Sequence, residues 1–299
     1  MRGLRRGISR RGKRTVRHRE GSAAMAKLRY TFKNDTLFKV LFVQYPELLK
    51  RLVAELIGIG YNSIGRFEIT NPEMPPESLG DKFCRLDINM TVDGQRVDLE
   101  IQVRDEGDYP ERSLYHWARE YSAALAEGEE YSLLPRTIII SIIAFKLFHC
   151  REFHSEYQAL EVTRHTQLTD KLSLHYFELP KLPSPVSPDN GMELWLTLFN
   201  AETEEELVKI ETMEVPIMEQ AISAYRRITA TPEFREMERL RSKARHDEAQ
   251  ALKSARLEER AKWQSVVADK DAKLADKDAV LAEQDALIAK LRARLGDSE

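Results

Sequence analysis

The residues of this chain best placed to do chemistry are Asp87, Glu100 and Gln102. They flank Asp93-Gly94, a dipeptide favoured in two-residue type I′ turns, and alternating apolar residues run away from it on both sides. The pattern predicts a hairpin of strands 82–92 and 95–103. With a loop of only Asp93 and Gly94, Val92 faces Gln95, Asn89 faces Asp98, Asp87 faces Glu100 and Arg85 faces Gln102. The last three pairs share one sheet face, because side chains alternate along a strand. Directly opposed Cβ atoms lie about 4.5–5.5 Å apart, where two carboxylates repel unless a proton or cation sits between them. Mg²⁺ and Mn²⁺ are hard ions that prefer such oxygens, so the pair is a ready chelate, with the Ile101 carbonyl as a further ligand. Leu86, Ile88, Met90, Val97, Leu99, Ile101 and Val103 occupy the other face and would anchor it in a core. Both acids are expected to face away from that core. Replacing either by alanine should then spare the fold and hold or raise metal-free stability. The plain alternative is an amphipathic hairpin whose polar face meets water.

Elements able to hold this hairpin are legible on both sides of it. Leu37, Phe38, Leu41 and Phe42 recur at helical spacing behind Asp35, which is placed to cap them. Pro46 opens a second helix, and Gly58 and Gly60 end it. A short strand near 64–69 and a Pro-rich turn at 71–76 lead into the hairpin. Beyond it, 109–125 reads as an amphipathic helix and 137–145 as a β-branched strand buried within a sheet. Strands at 153–162 and 172–179 follow, then a Pro/Ser-rich connector at 180–188 and helices at 192–200, 204–212 and 216–230.

Composition bounds the class. The 299 residues are 42% hydrophobic, enough for a real core. No apolar run approaches the roughly 20 residues of a membrane-spanning helix, so no membrane partner is expected. Cys84 and Cys150, the only two cysteines, suggest neither a disulfide framework nor a four-ligand zinc site, and a reducing cytoplasm fits. His149, Cys150 and His154 match neither a helix face nor a finger spacing. Net charge is −3, yet residues 1–24 hold nine Lys or Arg and one acid. Without them, 37 basic and 48 acidic residues remain, a body at −11. A body this acidic does not advertise nucleic-acid binding through bulk charge, so any DNA contact must come from a local patch or from metal ions bound by the acids. The basic stretch 1–24 has no apolar h-region and no periodicity, and is expected to be disordered: a DNA-binding arm, or an upstream extension with Met25 as the natural start.

Beyond Pro232, glycine and aromatics nearly vanish and charge density rises. Residues 233–299 are expected to form one long helix. Val267, Leu274, Leu281, Ile288 and Leu295 share a seam at heptad spacing, while the complementary positions Lys270, Lys277, Gln284 and Leu291 are mostly polar. The segment is either a solvated single helix or a coiled coil through which the chain self-associates.

Several stretches together carry a family resemblance. These are Lys33-Asn-Asp-Thr-Leu-Phe-Lys-Val-Leu-Phe42, Leu86-Asp-Ile88, Asp98-Leu-Glu-Ile-Gln-Val103 and Arg112-Ser-Leu-Tyr-His-Trp-Ala-Arg-Glu-Tyr121. Asp87 followed by Glu100-x-Gln102 resembles the D…(D/E)-x-K signature of PD-(D/E)XK nucleases, with glutamine in the lysine position. The wider context, from about Tyr30 to Leu182, resembles the Rpn family of recombination-promoting nucleases and transposases. The resemblance implies an α/β, restriction-endonuclease-like core of αβββαβ type, which takes up 25–190; the helical periods place a helical extension at 191–232 and the charged helix at 233–299 after it. It implies a Mg²⁺- or Mn²⁺-dependent DNA endonuclease serving recombination, mobile elements or defence against foreign DNA. Asp87 and Glu100 become metal ligands and Gln102 the group that orients the attacking water, although glutamine can neither carry charge nor change protonation state. Asp35 is a candidate fourth acid, or no more than a helix cap. Tyr115 and Arg119, four apart on one helix face, and Arg112 on the same helix are candidate phosphate contacts, while Trp117 and Tyr121 suit a core equally. From a different class comes a catalytically weak, nuclease-derived DNA-binding or scaffold protein that oligomerises through its C-terminal helix.

Overall fold

The computed structural model describes residues 26–72 and 87–296, with side chains through 292. The basic arm, the predicted strand residues 82–86 and most of the Pro-rich turn lie outside it. The first helical period yields α1 (Asp35–Gln44) and the second α2 (Pro46–Ile57), which stops where Gly58 enters the left-handed region at φ 71°. Asn34, not Asp35, caps α1: its backbone is extended and its side chain accepts from Leu37 N at 2.8 Å. Asp35 is already helical and so cannot take the cap position.

Among the described residues six strands form one sheet in the order β1-β2-β3-β4-β6-β5. They are β1 (Phe67–Ile69), β2 (Ile88–Val92), β3 (Gln95–Gln102), β4 (Thr137–Ile143), β5 (His154–Leu160) and β6 (Gln167–Glu178). The first three make an antiparallel meander; the expected strand at 64–69 is shortened because 61–63 turn as a 3-10 helix. Helix α3 (Tyr109–Ser122) then crosses one face and returns the chain to β4, parallel to β3. This is the expected αβββαβ order, extended by β5 and β6, with β6 parallel to β4. All seven residues of β4 are buried, which accounts for its β-branched composition.

Both faces of the sheet are packed. On one, Ile88, Met90, Val97, Leu99, Ile138, Ile140 and Ile142 meet α1, α2 and the helices α4 (Gly191–Asn200), α5 (Glu204–Glu211) and α6 (Pro216–Ala230). On the other, α3 roofs a smaller cluster of Tyr109, Ile139, Ile143, Leu174 and Tyr176. Trp117 and Tyr121 stack on this side at 4.8 Å, and the Trp117 indole donates to Thr137 O at 3.1 Å.

The chain ends in α7 (Pro232–Gly296), a single helix of 65 residues. Its first turns belong to the body: Phe234 is buried against the ring of Tyr30, and Glu238 is buried as well. Farther out, Val267, Leu274, Leu281 and Ile288 are all exposed. No described helix is long and apolar enough to cross a membrane.

Candidate active site

The hairpin turn fixes the geometry of the centre. Asp93 and Gly94 have φ of 48° and 81°, both left-handed, as a type I′ turn requires. The Asp93 carboxylate also accepts from the backbone N–H of Gly65 at 3.0 Å and of Arg66 at 2.7 Å, tying the turn to the chain entering β1. The register then runs Val92↔Gln95, Asn89↔Asp98 and Ile88↔Leu99. Continued by one residue, it sets Asp87 across from Glu100. The predicted Arg85–Gln102 pair lies outside the described residues.

The middle of the polar face does not meet water: Glu100 is 3% exposed, with Tyr109 of α3 closed over it, and Asp98 6%, while Asp87, Asn89 and Gln102 on the same face are half-buried. The Tyr109 hydroxyl, at the first turn of α3, donates to Glu100 Oε1, and Ser141 Oγ of β4 donates to the same oxygen at 3.3 Å. Burial, and then the neighbouring Glu100 charge, hold the Tyr109 phenol well above its ordinary range, so it remains a donor at any working pH. The expectation that Glu100 can be removed without harm to the fold therefore does not hold. Its alanine variant would strand two buried hydroxyls.

Asp87 is half-buried and lies just before the first residue of β2. Its carbonyl accepts from Lys39 Nζ at 2.9 Å and from Asn71 Nδ2 at 3.0 Å. Gln102 stands on the face of Glu100, two residues on, at the end of β3, with its amide nitrogen on Arg104 O at 2.9 Å. Next to that strand end a groove of about 480 Å³ is lined by Arg29, Tyr30, Lys33, Asn34, Val103 and Ala144. Asp35 accepts from Thr36 N at 2.9 Å and forms an ion pair with Arg245 of α7 at 2.6 Å, and Arg245 also reaches Glu238 at 2.7 Å.

Of the three α3 residues, Tyr115 and Arg119 are exposed. Arg112 is tucked in, 4.8 Å from the centre of the Tyr109 ring and 2.5 Å from the Glu106 carboxylate, with Nε and Nη2 buried and without hydrogen-bond partners. His154 is hydrogen-bonded to His175 rather than gathered with His149 and Cys150. Among the described residues no three acid, His or Cys side chains converge as a preformed metal cluster. A cation at the hairpin would rest on two carboxylates and a main-chain oxygen. This suits Mg²⁺, which keeps several waters and takes one or two protein carboxylates.

Sequence reasoning passed over Lys39, Asn71, Tyr109 and Ser141. Two of them left a signal: Lys39 interrupts the apolar run Leu37–Phe42, and Ser141 is the one residue that breaks the isoleucines between 138 and 143.

A central mixed sheet with an acid-bearing antiparallel hairpin, followed by a helix and a parallel strand, defines a restriction-endonuclease-like α/β protein. The chain matches the profile of the PD-(D/E)XK nuclease family transposases over residues 32–255, most of its length, and it belongs to that family. No curated protein and no solved structure matches it.

Proposed function

We propose that the protein is a metal-dependent DNA endonuclease whose centre is Asp87, Glu100 and Gln102, with Asp35 as an auxiliary acid. The observation that carries this is the register of β2 and β3, whose last pair is Ile88 with Leu99 and which, continued by one residue, would oppose Asp87 to the buried Glu100. Asp87, Glu100 and the Ile101 carbonyl would hold Mg²⁺ or Mn²⁺. When bound, the ion supplies positive charge to polarise the scissile phosphate and neutralise the leaving oxygen. The side chains do the rest. Tyr109 and Ser141 orient Glu100; Gln102 orients the attacking water through its amide, without taking its proton. Tyr115 and Arg119 are the exposed phosphate contacts of this helix, whereas Arg112, tucked between Tyr109 and Glu106 with its unpartnered donors buried, braces the first turn instead of meeting phosphate.

Recombination, mobile-element movement or defence against foreign DNA is the setting that fits a family of transposases, in a reducing cytoplasm that suits an exposed thiol at Cys150. The exposed seam of α7 would join copies of the chain. Burial of Glu100 beneath Tyr109 favours a second reading, a nuclease-derived DNA-binding or scaffold protein. Nicking of supercoiled plasmid separates the two. The full-length protein should cut with Mg²⁺ or Mn²⁺ and not with EDTA, and Asp87→Ala should be inactive. A wild-type protein that binds DNA yet never nicks it would support the scaffold instead.

A further inference from the structure

Lys39 is the one lysine among the fully buried large side chains of the described residues, 1% exposed within an otherwise apolar stretch of α1. A buried ammonium is costly unless hydrogen-bonded, and a methionine would fill this volume without that cost. Its Nζ meets two main-chain carbonyls, Asn71 O at 2.5 Å and Asp87 O at 2.9 Å. Asn71 completes the arrangement: its Nδ2 donates to the same Asp87 oxygen at 3.0 Å, and its Oδ1 accepts from Asn89 N at 2.8 Å. These contacts fall where the chain leaves β1 and enters β2. Asp87 immediately precedes Ile88, the first residue of β2 in the β2–β3 register.

We propose that Lys39 and Asn71 are positioning residues for Asp87, clamping its carbonyl so that its carboxylate leaves the main chain in the direction of Glu100. The inference rests on the assignment of Asp87 and Glu100 as metal ligands. A small hard cation tolerates little displacement of its ligands, and a site must hold them to within about 0.5 Å. One helix turn thereby reaches the centre from beneath the sheet, touching the main chain of a ligand rather than substrate.

The test is a calorimetric Mn²⁺ titration of the full-length wild type, Lys39→Met, Asn71→Ala and Asp87→Asn, with plasmid nicking measured against Mn²⁺ concentration. Lys39→Met and Asn71→Ala should each weaken Mn²⁺ binding about tenfold and raise the Mn²⁺ concentration needed for half-maximal nicking. The rate at saturating Mn²⁺ should stay within a few-fold of wild type. A merely structural role would lower the melting temperature and leave the Mn²⁺ affinity of the folded protein where it was. Wild-type Mn²⁺ affinity in both variants overturns the proposal. If Lys39→Met does not fold, Asn71→Ala decides alone, since Asn71 is only half-buried. If the wild type takes up no Mn²⁺, or Asp87→Asn binds it equally well, the ligand assignment itself fails and the clamp falls with it.

Discussion

Replacing Glu100 by alanine and by glutamine separates the two forces that act on this carboxylate. Either substitution removes the charge facing Asp87, so relief of repulsion is common to both and cancels when they are compared. They differ in the acceptor left for Tyr109 and Ser141, which are 1% and 0% exposed. Glutamine keeps an oxygen where Glu100 Oε1 now receives both hydroxyls. Alanine leaves two buried hydroxyls without an acceptor, at about 1–3 kcal/mol each, and opens a void besides. Taking the lower half of that range, because water can enter the void, Glu100→Ala should be about 3 kcal/mol less stable than Glu100→Gln. In a domain of this size that corresponds to a melting temperature about 6–12 °C lower. Scanning calorimetry in EDTA measures this directly, and nicking should be lost in both variants. Coincident melting of the two variants would refute the assignment of Glu100 as the buried acceptor for α3 and β4.

Burial pushes the His175 imidazole down to about 4 and lowers His154 as well, so both stay neutral in the folded state where the unfolded chain takes protons. Stability should be complete above pH 6.5 and fall as pH drops from 6.5 towards 4, by about 1.4 kcal/mol per unit and about 3 kcal/mol in all for His175. His175→Asn should flatten that limb of a urea-melt pH series; an unchanged slope would exclude His175 as its source. One residue inserted between Asp93 and Gly94 must either bulge, carrying Glu100 about 3.3 Å along from Asp87, or slip and turn Glu100 into the apolar core. Nicking with unchanged Mg²⁺ dependence in that insertion variant would break the Asp87–Glu100 pairing. A chain ending after Ala255 should stay folded and become monomeric by light scattering, whereas one ending at Ala230 loses Phe234 from the core and should melt lower. Full-length protein that is already monomeric at high concentration would remove α7 as an association device.

What the sequence made legible was local. The Asp93-Gly94 turn, the β2–β3 register from Val92–Gln95 to Ile88–Leu99 and the helical periods around Leu37 and Leu48 each depend on residues a few positions apart, where alternation and turn chemistry leave few options. What it did not show was which face of the hairpin would be covered. A strand of alternating acids and apolar residues looks the same whether its polar side meets water or a helix. The decision was made by Tyr109 and Ser141, which bring hydroxyls to Glu100 from another helix and another strand. Lys39 was opaque for the same reason: in an apolar run it reads as an anomaly, and only the sheet reveals the two carbonyls that draw it inward. Asp35 shows the limit from the other side. A cap is a local feature, yet Asn34 took the position one residue earlier, leaving Asp35 to meet Arg245 from a helix far along the chain. That pairing bears on function. Arg245 and Glu238 of α7 thus reach both Asp35 and its neighbour Asn34, so an auxiliary acid at Asp35 would have its charge set by a helix that the local sequence does not show.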